Sequence, residues 1–203
     1  MNTLEEAHRR LEQGELVVHP AEAVYGFGGL LDDAPLQRLR RLKKRPAGGF
    51  VVLMPSAKSV AGLLDATGRA LAREFWPGPL TLVLDDPGDR FHPHAKAPDG
   101  TVAVRVPAHP VTLQLLRQVG RPITSTSANR PGAVPARTAD QARKEALALG
   151  TELFAIDAGT LPGGAPSTLV RLGAGCPELI RQGPLVLPGA QNCTHVGIQN
   201  GTV

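Results

Sequence analysis

A run of small polar residues at 122–129 (PITSTSAN) is the part of the chain best suited to chemistry. Four hydroxyl side chains and the amide of Asn129 follow a short apolar step. Such side chains fit poorly in a helix because they compete for backbone hydrogen bonds. At the end of a strand they would present hydroxyls and backbone N–H groups to a bound anion. An ordinary Ser/Thr-rich turn is the alternative, and the run alone does not decide between the two.

Three cations, Lys43, Lys44 and Arg45, lie at the end of a predicted helix. The helix dipole favours cations at that end whether or not they bind a ligand. The same group would also suit a phosphate or carboxylate clamp, since arginine offers a bidentate fork and lysine a point charge. Both interpretations stay open at the level of this segment.

Another candidate cation lies in the segment 101–106 (TVAVRV). Its alternation predicts a strand with Thr101, Ala103 and Arg105 on one face and the valines on the other. An arginine among apolar neighbours is costly to bury without a partner. Arg105 therefore either extends to solvent or meets an anion.

Composition places the chain among soluble globular proteins. Its 203 residues are 42% hydrophobic and 20% charged, which fits one domain. The net charge of +4 favours an anionic ligand such as a nucleotide, with nucleic acid possible, although 3% aromatic residues argue against a base-stacking platform. Two cysteines without a CxxC pair, together with the lack of a signal peptide or an apolar span, predict a cytoplasmic protein.

Spacing argues against several common active sites. His92 and His94 lie in a proline-rich loop without a nearby carboxylate or thiol cluster, so we expect no protein-held metal. Ser125 and Ser127 lack a Gly-x-Ser-x-Gly elbow and an evident base, so neither is expected to be a nucleophile. The glycine-rich segments match neither a Walker A loop nor a dinucleotide-binding fingerprint.

Helical and strand patterns interleave along the chain and predict a single α/β (α+β) domain. The segment 26–29 is interpreted as a flexible turn, 85–100 as a loop and 158–166 as a glycine-rich loop. Helices are predicted at 3–13, 34–44, 57–74 (one or two), 108–119 and 139–148, and strands at 15–20, 50–54, 80–84, 101–106, 153–157, 167–171 and 179–182. Residues 184–203 have weak periodicity and are interpreted as a tail or extension.

Seven short motifs follow one another along the chain. They are PAEAVYG at 20–26, KKRP at 43–46, WPGPLT at 76–81, VRVP at 104–107, STSAN at 125–129, PST at 166–168 and RQG at 181–183. Each motif is weak alone, but their order and spacing together are specific. Over about residues 3–183 the chain therefore resembles the YrdC/TsaC family of threonylcarbamoyl-AMP synthases.

The resemblance implies an ATP-dependent nucleotidyltransferase. Enzymes of this family convert L-threonine, bicarbonate or CO2 and ATP, used with Mg2+, into threonylcarbamoyl-AMP and pyrophosphate. Partner proteins then transfer the threonylcarbamoyl group to tRNA, and direct binding of tRNA or double-stranded RNA is possible. The fold implied is one YrdC-like domain, here 1–183, whose twisted mixed sheet, flanked by helices, lines a deep basic cleft.

The resemblance also assigns roles to individual residues. Lys43 and Arg45 would be catalytic, with Lys43 near the reacting carboxylate and phosphate. The residues implied for ATP or the adenylate are Arg45, Thr101, Ser127, Asn129 and Arg181. Those implied for threonine are Ala23, Arg105, Ser125 and Ser167, with Arg105 pairing with the carboxylate.

The sequence departs from the family pattern at two positions. Gly49 stands where the family often has a second lysine, so ATP binding would weaken unless Lys44 or Lys96 substitutes. Ala21 replaces a threonine and removes a hydroxyl near the threonine pocket. These departures leave two other functions open: an RNA-binding module that makes no adenylate, and a related carbamoyl-adenylate enzyme with another acceptor.

Overall fold

The computed structural model describes residues 3–44, 48–173 and 177–187. Its α-helices are α1 (Thr3–Glu12), α2 (Asp33–Leu42), α3 (Ala66–Phe75), α4 (Pro110–Val119) and α5 (Ala139–Ala148). Its strands are β1 (Val17–Pro20), β2 (Tyr25–Gly28), β3 (Val51–Leu53), β4 (Leu80–Leu84), β5 (Val102–Arg105), β6 (Ile123–Ser127), β7 (Phe154–Ala155), β8 (Thr168–Arg171) and β9 (Glu178–Arg181). Short 3₁₀ helices cover Ala57–Leu63 and Pro93–Ala95.

Within the described residues, the strands form one mixed sheet in the order β7-β1-β2-β6-β3-β5-β4-β8-β9. The hydroxyl-rich strand β6 lies inside the sheet, antiparallel to both β2 and β3. Strands β3 and β5 are parallel, as are β4 and β8. The predicted α/β class with a twisted mixed sheet is therefore confirmed.

Helices cover both faces of this sheet, because alternate residues of its strands enter two different apolar clusters. Val17 of β1 and Leu53 of β3 pack with the buried leucines of α1 and α4. Their neighbours Val18 and Val52 pack in the larger cluster, with α2, α3 and α5. The sheet is thus the middle layer of three, with helices packed on both of its faces.

The predicted strand at 80–84 and helix at 139–148 have the observed bounds, and 57–74 divides into a 3₁₀ helix and α3. The interpretation of 26–29 as a flexible turn was wrong. Residues 25–28 form β2, which pairs with β1 on one side and β6 on the other. The turn alternative for the hydroxyl run was wrong as well, since Ser125 and Ser127 belong to β6 itself.

Glycine is required at position 28 by the closeness of the neighbouring strand. A β-carbon placed there would lie 2.4 Å from the backbone oxygen of Thr124 and 3.0 Å from Cδ2 of His19. The side chain of Thr124 also pins this pairing, because its Oγ1 lies 3.1 Å from both the backbone N and the backbone O of Gly29. The glycines that resemble a turn in sequence therefore serve close strand packing.

The first residues after Gly183 pack on the sheet. The backbone N–H of Leu185 donates to Oγ1 of Thr168 at 3.1 Å, and Leu187 is buried. Residues 188–203 and both cysteines, Cys176 and Cys193, lie outside the described residues. The domain boundary at 183 stays a prediction. None of the helices in the described ranges has the length and apolar character needed to cross a bilayer.

Replacing Gly28 by alanine is expected to lower the free energy of unfolding by about 3 kcal/mol, because the added methyl meets backbone that cannot rotate away. Chemical denaturation monitored by circular dichroism measures this change. Gly88→Ala is the matched control, since a β-carbon there meets only Cγ of Arg90, at 4.0 Å. Equal stability of the two variants would contradict the packing argument.

Candidate functional site

A cleft of about 620 Å³ opens on the sheet beside β2, β5 and β6. Six of the residues predicted from sequence line it together: Ala23, Arg105, Ser125, Ser127, Ser167 and Arg181. Among its described lining residues, the charged side chains are Arg105, Arg181 and Glu22. The cleft therefore combines two guanidinium groups, one carboxylate and several hydroxyls.

The guanidinium of Arg105 is held at two of its nitrogens. Nε donates to the backbone oxygen of Gly78 at 2.9 Å, and Nη2 forms an ion pair with Oε2 of Glu22 at 2.5 Å. Only 11% of the side chain is exposed, and this burial lowers the pKa of Arg105 while the charge of Glu22 opposes that shift. Of the two alternatives that the sequence left open, Arg105 meets an anion.

The turn at 76–79 presents the oxygen that receives Arg105. Nε1 of Trp76 donates to the backbone oxygen of Leu80 at 2.7 Å, and the N–H of Gly78 donates to that of Val106 at 2.9 Å. A side chain at position 78 would place its β-carbon 2.3 Å from the backbone oxygen of Phe75. The Trp-Pro-Gly-Pro motif therefore needs its glycine to fix Arg105.

Arg181 reaches the cleft from the edge strand β9. Its Nη2 donates to the backbone oxygen of Ser167 at 3.0 Å, and Oγ of Ser167 lies 2.7 Å from Oγ1 of Thr81. Partial burial lowers the pKa of Arg181, and so does the positive charge of Arg105. A β-carbon at Gly183 would lie 2.3 Å from the backbone N of Thr168, which explains the glycine of the Arg-x-Gly motif.

Side chains outside the cleft support the end of β6. Oγ of Ser127 donates to Oδ1 of Asn129 at 2.6 Å. Nζ of Lys43 donates to that same Oδ1 at 2.9 Å and to the backbone oxygens of Ser127 and Asn129 at 3.0 and 2.6 Å. Both Lys43 and Asn129 are buried and neither lines the cleft. Their side chains hold Ser127 in place from outside the cleft.

Of the remaining residues predicted from sequence, one lines the cleft, one lies away from it and one is outside the described residues. Ala23 lines the cleft, and its backbone oxygen accepts the N–H of Gly163 at 2.8 Å. Thr101 does not line the cleft; it is buried, and its hydroxyl donates to Oδ1 of Asp99 at 2.6 Å. Arg45 lies outside the described residues.

The glycine at position 49 has a steric cause. A β-carbon there would lie 2.8 Å from the backbone oxygen of Ala95 and 2.9 Å from the backbone N of Ala97. Lys96 does not line the cleft: its Nζ lies 2.8 Å from Asp86 and 2.5 Å from Asp89. Hydrogen bonds to these two carboxylates raise the pKa of Lys96. The ammonium of Lys96 thus serves a local ion pair.

Sequence reasoning assigned no role to Tyr25, which supports one wall of the cleft. Its hydroxyl donates to the backbone oxygen of Gly159 at 2.8 Å and accepts the N–H of Ala158 at 2.9 Å. Burial raises the pKa of this phenol. The tyrosine thereby joins β2 to the start of the glycine-rich loop, whose later residues line the cleft.

His19 lies fully buried beneath the cleft floor. Its Nδ1 lies 3.1 Å from the backbone oxygen of Pro20, and within the described ranges Nε2 has no hydrogen-bond partner. Burial lowers the pKa of this imidazole to about 4. A β-carbon at Gly26 would lie 3.1 Å from both Nε2 of His19 and Oγ of Ser125, so glycine avoids a tight contact with both side chains.

His19 should make the protein less stable as the pH falls from 6.5 to 4.5. The unfolded imidazole binds a proton below its ordinary pKa of 6.5, whereas the folded one does so only below about 4. The unfolded state therefore holds more protons in this window, and the loss due to His19 should be about 2 to 3 kcal/mol. Urea titrations at several pH values measure it. His19→Gln should flatten this dependence, and the surface variant His8→Gln should retain it.

Known proteins that are similar to this chain indicate its family. The Sua5/YciO/YrdC family model, described as "Telomere recombination", matches residues 9–183. This chain belongs to that family. A threonylcarbamoyl-AMP synthase of Thiobacillus denitrificans is 38% identical over 173 residues, covering 83% of this chain and 90% of the relative. One of Chromohalobacter salexigens is 40% identical over 171 residues, covering 81% and 90%.

Solved structures give the same assignment. Pyrococcus abyssi Sua5 complexed with L-threonine is 33% identical with a TM-score of 0.81, and the match covers 89% of this chain. The chain spans 54% of that longer protein. Escherichia coli YciO, 22% identical with a TM-score of 0.74, shares the fold. The family resemblance predicted from the seven motifs is confirmed.

Proposed function

We propose that this chain synthesises threonylcarbamoyl-AMP from L-threonine, bicarbonate or CO2 and ATP, with release of pyrophosphate. One observation carries the proposal: Arg105, Ser125, Ser167 and Arg181 surround a single cleft. Relatives that cover most of the chain bear the name of this activity.

The threonine pocket is proposed at Arg105, Ser125, Ser167 and Ala23. The guanidinium of Arg105 is fixed beforehand, so binding a carboxylate there loses little side-chain entropy. The hydroxyls of Ser125 and Ser167 suit the remaining polar atoms of an amino acid, and the small side chain of Ala23 leaves room beside them.

The adenylate side is proposed at Arg181, Ser127 and Arg45. Asn129 is proposed as a support for Ser127, and Thr101 is given no contact because its hydroxyl is bonded to Asp99 outside the cleft. For Lys43 the geometry supports an indirect contribution, because its Nζ is bonded to the oxygens that hold Ser127 and Asn129. We therefore assign it the task of keeping this wall rigid while Arg45 and Arg181 offset negative charge.

The chemical step needs positioning more than a protein nucleophile. A carbamate oxygen of N-carboxylated threonine attacks the α-phosphorus of ATP; the new O–P bond forms as the bond to pyrophosphate breaks. Guanidinium groups stabilise the charge that develops on the phosphate oxygens. Mg2+ would enter with the polyphosphate of ATP as part of the substrate.

The product is a mixed anhydride, which is an activated acyl donor, so a further reaction must use it. We propose that partner proteins transfer the threonylcarbamoyl group to tRNA in the cytoplasm. Direct contact with tRNA is a separate property, which filter binding at several salt concentrations would measure.

Incubation of the purified chain with ATP, L-threonine and bicarbonate should give threonylcarbamoyl-AMP, detected by mass spectrometry. Omitting any one of the three substrates should abolish the product. Product formed equally well with another amino acid would indicate a different acceptor. Salt-sensitive RNA binding without any adenylate would indicate a binding module and refute the synthase.

Arg105→Lys should lower kcat/KM for threonine by about 100-fold, because a lysine has a single nitrogen and cannot be held by Gly78 and Glu22 while it also binds the substrate carboxylate. Arg181→Met should act mainly on ATP, raising its KM. Pyrophosphate release measures both effects. Arg117→Ala is the matched control, since Arg117 is exposed on α4 outside the cleft. A loss of the same size in that control would contradict the assignments.

A further inference from the structure

Glu22 is the one charged group among the described lining residues of the cleft to which the proposed chemistry gives no task. It belongs to the first motif, between Ala21 and Ala23, and only 23% of its side chain is exposed. A carboxylate beside an anion-binding arginine can have one of two opposite effects on binding. It competes with the substrate for the arginine, or it holds the arginine in the orientation that the substrate needs.

The contacts of Glu22 divide its two oxygens between different partners. Oε1 accepts the backbone N–H of Ala108 at 2.6 Å, while Oε2 lies 2.5 Å from Nη2 of Arg105. The bond to Ala108 ties the carboxylate to the segment between β5 and α4, in which the backbone oxygen of Val106 also accepts the N–H of Gly78 at 2.9 Å. Glu22 is therefore anchored independently of Arg105, as expected of a support rather than of a displaceable occupant.

The guanidinium of Arg105 is then fixed at both ends of one edge. Nε is bonded to the backbone oxygen of Gly78, and Nη2 is paired with Glu22. Within the described part of the chain, Nη1 has no hydrogen-bond or ion-pair partner. The hydrogen bond to Gly78 orients the plane of the group, the ion pair with Glu22 holds its Nη2 end, and the Nη1 end remains available to a ligand in the cleft.

The charges in the cleft also favour a supporting role for Glu22. Arg105 and Arg181 are near enough for the charge of Arg105 to lower the pKa of Arg181. Glu22 offsets one of these two positive charges, which keeps two partly desolvated guanidiniums stable beside each other before any ligand arrives.

We propose that Glu22 is a positioning residue of the threonine site, holding Arg105 so that its Nη1 end receives the substrate carboxylate. This inference rests on the proposed function only in the identity of the amino acid. It assigns no proton transfer and no contact with ATP to Glu22.

The variant Glu22→Gln distinguishes the two roles, because they predict opposite changes in the Kd for L-threonine. The amide keeps the size of the side chain and an acceptor for Ala108, but it places an N–H donor or a neutral oxygen against Nη2. The Kd for L-threonine, measured by calorimetry without ATP, should rise about tenfold. An unchanged or lower Kd would overturn the proposal, and a lower one would identify Glu22 as a competitor.

A double variant tests whether Glu22 acts through Arg105. In an Arg105→Lys background, Glu22→Gln should change the Kd for L-threonine less than twofold, because the oriented fork is already gone. A full tenfold effect in that background would overturn the proposal in favour of direct contact or general damage. Thermal unfolding of each variant accompanies the titrations.

The matched control is Glu74→Gln, an exposed glutamate on α3 outside the cleft. It should leave both threonine binding and turnover unchanged. In turnover assays Glu22→Gln should raise the KM for threonine about tenfold and the KM for ATP less than twofold. Equal increases of both values would overturn the assignment to the threonine site.

The calorimetry also separates this inference from the proposed function. A native chain that binds L-threonine but forms no threonylcarbamoyl-AMP would refute the synthase, while the Glu22 variants still decide the positioning proposal. A native chain that fails to bind L-threonine would overturn the positioning proposal itself.

Discussion

The cleft depends on how a guanidinium is kept out of water. Arg105 loses most of its hydration, which is affordable only if fixed oxygens replace the lost solvent. The turn at 76–79 supplies one oxygen through Gly78, and the loop between β1 and β2 supplies another through Glu22. Two segments distant in sequence are therefore constrained by one side chain, and the ligand-binding wall is built around that constraint.

Glycine fulfils several distinct requirements around this arginine. At Gly78 and Gly183 a β-carbon would overlap backbone within the same turn or the adjacent strand. At Gly26 it would meet the buried imidazole of His19 and the hydroxyl of Ser125. At Gly78 and Gly183 the absent side chain lets backbone approach more closely than any other residue would allow, and at Gly26 it avoids a tight contact with both groups.

Much of this site was predictable from sequence, and the failures have a common cause. Hydrophobic periodicity located most helices and strands, and the alternation at 101–106 placed Arg105 on the correct face. The strand at 25–28 was missed because its glycines satisfy contacts from β6, which lies about one hundred residues away. The partner of Arg105 and the brace formed by Lys43 were missed for the same reason, since residues distant in sequence supply their oxygens.

The sequence of the hydroxyl-rich strand β6 specifies its register against β2 only weakly. Threonine and serine alternate along it, so a shift of one residue against β2 would turn Ser125 and Ser127 away from the cleft and bring threonines into their places. Such a misaligned sheet would still present hydroxyls, but with methyl groups crowding the ligand. The two contacts that Oγ1 of Thr124 makes with the backbone N and O of Gly29 are lost in that shifted pairing. Thr124 thus makes polar contacts that belong to the native register alone, and they add to the burial of Ile123 in the same strand.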